Sequence, residues 1–416
     1  NAKSVNPDIK TIAEIYPGID ESSVRVGADV YQMYQVVDVV AHEFSGGGGN
    51  AATKNPLDWF SRMVGMYTFR AFAEGKASWM LSYSWGQKNN VKPSEAMKNL
   101  ALSNVMAGTN CWDARGHVMS GSNDIETRKI IFKWIADHEK IFYTPRSPIQ
   151  PIGVYFSPKT RNYFADEFLK SYQGIMYMLL QAHLEFQIVT PRTLNDFNGA
   201  ILILPDVKCI SDAEVASLES YVKKGKGLVI TGKTGQYDST GLSREKNPFQ
   251  TMLNINDPLK KKVSDGEIKM IYYPNCPGKA YMESCRRGFN EAAWEGTHSE
   301  AEFNSLKNSF VAALSGLFKY QPSVKIEASP FISAQIAEVK NNPHVFLANF
   351  KGLKRDEVTQ QIAEENITIE FPNKENAKIY LLPYLGNIIE LKGQVKEDQL
   401  IFTLPPIEKG AVVWLE

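Results

Sequence analysis

The sequence predicts an α/β protein in three parts: half of an eight-stranded (β/α) barrel, a flavodoxin-like doubly wound domain, and a small antiparallel β-sandwich. Strand-length apolar runs alternate with amphipathic helical stretches twice over, before and after a proline-rich segment, Pro145-Arg146-Ser147-Pro148-Ile149-Gln150-Pro151. Beyond Ser323 the pattern changes to short alternating strands separated by turn residues at regular intervals. These shifts set domain boundaries at 1–145, 150–322 and 323–416.

In the first part, Thr11 to Tyr16 reads as a strand stopped by Pro17-Gly18, and Val24 to Tyr34 as a helix. The run Val36-Val37-Asp38-Val39-Val40-Ala41-His42-Glu43 is a β-branched strand of the kind buried on both faces in a parallel sheet. Leu57 to Glu74 forms a helix, with Asn55-Pro56 before it and Gly75 after it. Ala77 to Trp85 is the third strand and Pro93 to Met106 the next helix. Gly108 leads into Thr109-Asn110-Cys111-Trp112-Asp113, and Asp124 to Tyr143 is a long helix with apolar residues near helical spacing. Four βα units in succession make half of an eight-stranded barrel.

In the second part, strands are expected at Ile152 to Phe156, Phe186 to Val189, Ala200 to Pro205 and Leu228 to Thr231. Helices lie between them at Asp166 to His183 and from the cap Ser211 to Val222. The segment from about 240 to 320 is mixed. Seven short strands then follow, at 334–339, 344–349, 367–371, 377–382, 387–391, 399–404 and 411–415.

The chain has 416 residues, 43% of them hydrophobic and 11% aromatic, ample for real cores. Lys plus Arg equals Asp plus Glu at 46 each, which argues against nucleic acid or a charged membrane surface as partner. No apolar run reaches the length of a membrane span. The sequence opens on Asn1 without a Met or a signal-peptide pattern, as expected of a trimmed N-terminus. Four cysteines, none in a C-x-x-C pair, exclude a disulfide scaffold and a zinc site, and Cys276 with Cys285 could bridge only in an oxidising compartment. No cofactor or metal is expected.

The residue types that carry chemistry gather at strand ends. In a barrel of alternating strands and helices the carboxyl end of the sheet is the reactive end, and Glu43 closes its strand there. It is the first catalytic candidate, since glycosidases need carboxylates flanking the scissile bond. His42 alternates to the other face of the strand, a packing or supporting place beside a substrate site. Asp113 is the second carboxyl candidate, Asn110 a partner for sugar hydroxyls, and Trp85 and Trp112 platforms for sugar faces, whereas Trp79 reads as core. Gly46 to Gly49 lacks the Lys-Ser or Lys-Thr of a phosphate cradle and reads as a rim loop. Cys209 follows a strand, but Val207-Lys208-Cys209-Ile210 lacks the glycines of a nucleophile elbow.

Leu204-Pro205-Asp206-Val207-Lys208-Cys209-Ile210-Ser211-Asp212, then Tyr221-Val222, Gly225-Lys226-Gly227-Leu228-Val229-Ile230-Thr231-Gly232 and Thr234-Gly235-Gln236-Tyr237-Asp238, resemble the trimerization domain of family 42 β-galactosidases. That resemblance implies a class I amidotransferase-like fold without its catalytic residues, set between a TIM barrel and a small β-sandwich. It implies a homo-oligomer, most simply a trimer, acting on an oligosaccharide or glycoside. The family's catalytic glutamates close the fourth and seventh barrel strands, and Glu43 matches the nucleophile position approximately. An additional βα unit ending at Trp112-Asp113 precedes the linker, which counts Glu43 onto the sixth strand instead. Only the second half of the barrel is present, so the resemblance points to the C-terminal portion of a longer enzyme.

The expectation is therefore a glycoside hydrolase, possible substrates including β-galactosides, working through barrel-mouth carboxylates. The alternative is a non-catalytic carbohydrate-binding or assembly protein derived from a glycosidase, in which Glu43 is a hydroxyl ligand. The sequence leaves the compartment open, and a polysaccharide-degrading role favours an extracytoplasmic one.

Overall fold

The computed structural model describes residues 2–15, 27–43, 56–83, 93–114, 124–255, 257, 259–265, 269–288, 299–353 and 360–416. The chain divides into two compact units, Asn1–Pro145 with Gly352–Gln361, and Arg146–Lys351 with Ile362–Glu416.

The first unit is built on four parallel strands in sequence order, β1 (Ile12–Ile15), β2 (Val39–Glu43), β3 (Ser78–Tyr83) and β4 (Asn110–Ala114). β2 starts later than the apolar run suggests, because Asp38 is engaged elsewhere. Its carboxylate accepts from the Thr11 amide and hydroxyl at 2.8 Å each and pairs with Lys3 at 2.7 Å. The bond to Lys3, reinforced by Thr11, holds the Asp38 carboxyl well below the usual range.

The helix Pro56–Ala73 stops where Glu74 and Gly75 take positive φ, and Pro93–Ala107 stops at Gly108 with φ 76°. The stretch expected as one helix from Asp124 to Tyr143 is two, Ile125–Asp137 and Glu139–Tyr143. Asp124 caps the first through the Thr127 amide at 2.9 Å. His138 breaks the helix, its Nδ1 lying 2.8 Å from the Trp134 carbonyl while its ring packs on Trp134. From the later chain, Gln361 donates to the Asn99 side chain within this unit at 2.8 Å.

The second unit holds a six-stranded sheet: β5 (Ile152–Tyr155), β6 (Phe186–Val189), β7 (Ile201–Leu204), β8 (Gly227–Thr231), β9 (Lys262–Asp265) and β10 (Lys269–Tyr273). The spatial order is β6-β5-β7-β8-β10-β9, with β9 antiparallel at the edge. Its five parallel strands run in the flavodoxin order. The helix Pro158–Gln181 begins two turns before the expected start, capped by Ser157 with Pro158 at its first position. Phe164 (φ −138°, ψ 43°) interrupts its dihedrals, and that kink hides the first turns from a periodicity reading. Asp212–Lys223 opens on a full capping box between Ser211 and Glu214.

Two glycines set how closely Pro158–Gln181 approaches the helix Pro277–Gly288. A Cβ on Gly174 would stand 1.8 Å from the Gly278 carbonyl oxygen, and one on Gly278 would stand 2.4 Å from that of Ser171. Backbone meets backbone here, so neither neighbour can swing aside.

The sandwich pairs a four-stranded sheet, β11 (Lys325–Glu327), β14 (Thr368–Pro372), β18 (Gln399–Thr403) and β17 (Gln394–Lys396), with a five-stranded one. The latter runs β12 (Ile332–Val339), β13 (Asn342–Asn349), β19 (Gly410–Leu415), β15 (Ile379–Pro383) and β16 (Ile389–Leu391). Inward residues such as Ile336, Val345, Leu381, Ile369, Phe402 and Val413 form one core between them. Lys325–Glu327 and Gln394–Lys396, too short and polar to show an alternating pattern, are the strands the sequence does not announce.

Inside this unit the sandwich is tied to the α/β domain through the end of Pro158–Gln181 and the proline-rich segment. His183 Nε2 lies 3.1 Å from the Ile332 carbonyl. The Arg146 guanidinium sits 3.4 Å from the Phe346 ring centroid and donates to Gln335. Fully buried Glu185 accepts from the Ile149 and Gln150 amides and, at 3.2 Å, from the Ser323 hydroxyl. One carboxylate thereby clamps both the segment entering the α/β domain and the segment leaving it.

Two outcomes are expected. Gly174→Ala lowers stability by about 1–3 kcal/mol through overpacking, read as a lower denaturant midpoint at unchanged slope. Burial raises the Glu185 carboxyl above its ordinary value of 4.5 despite its amide donors. The folded state therefore holds a proton that the unfolded chain releases, and the Glu185 contribution to stability falls as pH rises from 4.5 through the raised value. Denaturation at stepped pH is expected to show that decline in the wild type and to lose it in Glu185→Gln.

Candidate functional site

The carboxyl end of the first unit's sheet is defined by register. Ala41, Trp79 and Asn110 form one row across β2, β3 and β4. His42, Met80 and Cys111 form the next, and Glu43, Leu81 and Trp112 the one after. Asp113 stands one row further, opposite Ser82. Successive rows alternate between the faces of a sheet.

The His42 row belongs to the helix-covered face. His42 is fully buried, with Nε2 2.8 Å from the Tyr34 hydroxyl and its ring stacked on Phe69 at 3.9 Å and 13°. The same Tyr34 oxygen lies 2.6 Å from Ser78 Oγ. Burial pushes the Tyr34 hydroxyl's titration up, so it stays protonated. Met80 is fully buried, and Cys111 Sγ contacts the Ala101 carbonyl at 3.7 Å. The imidazole is thus enclosed between Phe69 and Tyr34.

The alternate rows carry Trp79, Asn110 and Trp112, all half-buried. The two indoles meet edge to face with centroids 6.3 Å apart, which places Trp79 beside the expected site residue Trp112 rather than in a sealed core. Glu43 closes β2 in the row of Leu81 and Trp112, while Asp113 stands on a row of the other parity, with β3 between them. At the usual strand spacing the two backbones are about 10 Å apart. Register thus brings Glu43, Trp112 and Asn110 onto rows of one parity, and His42 and Asp113 onto the other. Trp85 and the Gly46–Gly49 loop lie outside the described residues.

Tyr34 and Ser78 are the participants that sequence reasoning missed. Tyr34 joins His42 across 8 residues and Ser78 across 44, in contacts that no local pattern records.

In the second unit Cys209 is buried, and burial pushes its thiol up to about 11. Its backbone is occupied: the Cys209 amide donates to Thr160 Oγ1 at 3.0 Å, and its carbonyl accepts from Ser157 Oγ at 3.2 Å. The loop after β7 therefore lies across the start of Pro158–Gln181, the place where open α/β sheets otherwise admit ligands. Cys276, one half of the bridge considered above, carries a free buried thiol. Among the described residues no group of three His, Cys, Asp or Glu side chains is placed to hold a metal ion, and no helix is long and apolar enough to cross a membrane.

No protein-family model matches the sequence, and no curated protein matches it either. Solved structures match it along its length. The β-galactosidase from Bacillus circulans sp. alkalophilus superposes with a TM-score of 0.65 at 10% identity, over 100% of this chain and 64% of the other. A catalytic mutant of Gan42B, a GH42 β-galactosidase from G. stearothermophilus, gives 0.63 at 12% identity over 100% and 65%. The α-L-fucosidase isoenzyme 2 from Paenibacillus thiaminolyticus gives 0.59 at 15%, over 88% and 64%. At these identities the likeness is one of fold: the chain shares its fold with part of those GH42 β-galactosidases and spans about 65% of their length.

The buried thiol yields a direct expectation. With a titration near 11, only about 0.1% of Cys209 is thiolate at pH 8, against roughly a quarter of an ordinary cysteine. Iodoacetamide at pH 8 is expected to leave the native Cys209 peptide unmodified and to alkylate it after denaturation, as peptide mass spectrometry reads directly.

Proposed function

We propose that the chain is the C-terminal portion of a glycoside hydrolase of β-galactosidase-like kind that cleaves a glycosidic bond with Glu43 as catalytic carboxylate. The observation that carries this reading is the placement of Glu43 at the carboxyl end of β2 in a chain whose whole length follows GH42 β-galactosidases. In such barrels the reactive groups stand at that end of the sheet.

In this reading Glu43 is nucleophile or acid/base, and Asp113 supplies a second carboxyl group as partner or sugar ligand. Trp112 and Trp85 stack on sugar faces and Asn110 bonds hydroxyls, while His42 supports Glu43 from behind. Residues 1–145 act as a half-barrel completed by further strands, since β1 and β4 each have one neighbour among the described residues. Residues 150–322 make the homo-oligomer, a trimer, and 323–416 form the closing sandwich. The protonated Cys209 gives no support to an amidotransferase chemistry in the middle part.

The test is Glu43→Gln in the intact polypeptide, assayed on aryl glycosides and by glycan binding. Turnover is expected to fall by about 10³–10⁵-fold while binding survives. A wild-type protein that binds glycans without cleaving any would instead establish the non-catalytic, carbohydrate-binding alternative.

A further inference from the structure

We propose that Tyr34, supported by Ser78, is a positioning residue that acts through His42 to fix the backbone from which Glu43 projects. The inference deepens the reading of Glu43 as the catalytic carboxylate and rests on it.

β2 is held at both ends. At its entry Lys76 Nζ donates to the Tyr34 and Val37 carbonyls, the latter at 3.0 Å, and Asp38 is tied to Thr11. At its exit the tie is made by side chains. His42 precedes Glu43 directly, and among its contacts are two that restrain the ring in different ways. Phe69 stacks on its face at 3.9 Å, which fixes the ring plane and leaves rotation within that plane free. The Tyr34 hydroxyl at 2.8 Å from Nε2 removes that freedom. Ser78 Oγ, 2.6 Å from the same hydroxyl, in turn fixes Tyr34, and Ser78 begins the neighbouring strand in register with Val40.

The chain of contacts thus runs from β3 through Ser78, Tyr34 and His42 back to the last peptide of β2, entirely inside the protein. One hydroxyl proton serves two neighbours. If Tyr34 donates to His42 Nε2, Ser78 donates to Tyr34; if the imidazole donates, Tyr34 passes its proton to Ser78. Either arrangement leaves all three groups bonded. Removing the Tyr34 hydroxyl takes away its bonds to His42 Nε2 and to Ser78 Oγ together, and with them a restraint on the His42 side chain and the peptide beyond it. A catalytic group needs placement to within about 0.5 Å and 10–20°, so a tilt at this peptide is felt in turnover before it is felt in folding.

The experiment uses Tyr34→Phe in the intact polypeptide beside wild type and Glu43→Gln. Misplacement of a reacting group by about 1 Å can cost about a hundredfold. The expected result is a fall in kcat of about ten- to a hundredfold with KM unchanged. It is accompanied by a displaced pH–rate limb for Glu43 and by circular dichroism that shows a fully folded protein at the assay temperature. A kcat within about twofold of wild type, or a loss confined to KM, overturns the proposal provided Glu43→Gln is inactive. An active Glu43→Gln overturns the underlying reading instead. Should Tyr34→Phe fail to fold, Ser78→Ala carries the same test: it keeps the Tyr34–His42 contact, removes its outer support and is expected to lower kcat about threefold. An unchanged kcat in that variant overturns the proposal.

Discussion

The register of β2 against β3 is the constraint on which the candidate site depends. It decides which residues of Val39–Glu43 meet the helices and which remain on the alternate rows, and a slip of one residue would exchange the two sets. Several contacts hold it. Asp38 fixes β2 against β1, Lys76 fixes its entry, and the His42–Tyr34–Ser78 contacts tie its exit to β3. The Tyr34–His42 and Tyr34–Ser78 contacts lie on the buried side, while the other rows carry half-buried indoles and an amide.

The second unit follows a different logic. Its sheet has the strand order of a ligand-binding doubly wound fold, yet the loop carrying Cys209 is bonded down over the helix start through Ser157 and Thr160. Its polar groups are spent on joints instead. Glu185 gathers two chain segments, His183 reaches a sandwich strand, and Gly174 with Gly278 brings two helices to backbone contact. These contacts specify the interior of the unit closely and tie the loop after β7 to the start of Pro158–Gln181.

Much of this architecture is legible in the sequence, because hydrophobic period and punctuation are local. The parallel strands and the capped helix after Ser211 follow from runs such as Ala200 to Pro205 and from the Ser-x-x-Glu spacing. Where local signals conflict with side-chain chemistry the reading goes astray. His138 ends a helix that its flanking periodicity would continue, and Phe164 conceals the first turns of another. The short strands at 325–327 and 394–396 have no pattern to show. For the site, the order of strand ends gives Glu43, Asn110, Trp112 and Asp113 as a group. Pairing register, a property of neighbouring strands, separates them into rows, and the Tyr34–Ser78 contact behind His42 spans 44 residues. Trp79 illustrates the limit: its apolar neighbours read as core, while its row and its contact with Trp112 place it half-buried beside an expected site residue.

Among the described residues β1 and β4 are each paired on one side only, and an edge of that kind bears on how a protein is handled and made. A strand with a free edge presents amides and carbonyls at the repeat of another strand, and it does not discriminate between a strand from its own polypeptide and one from a neighbour. A covalently linked strand competes at a fixed local concentration, whereas a neighbour competes in proportion to how much protein is present. Wherever such an edge is open, dilution and the order in which segments emerge during synthesis bear on whether a sheet closes within one polypeptide or pairs with a neighbour.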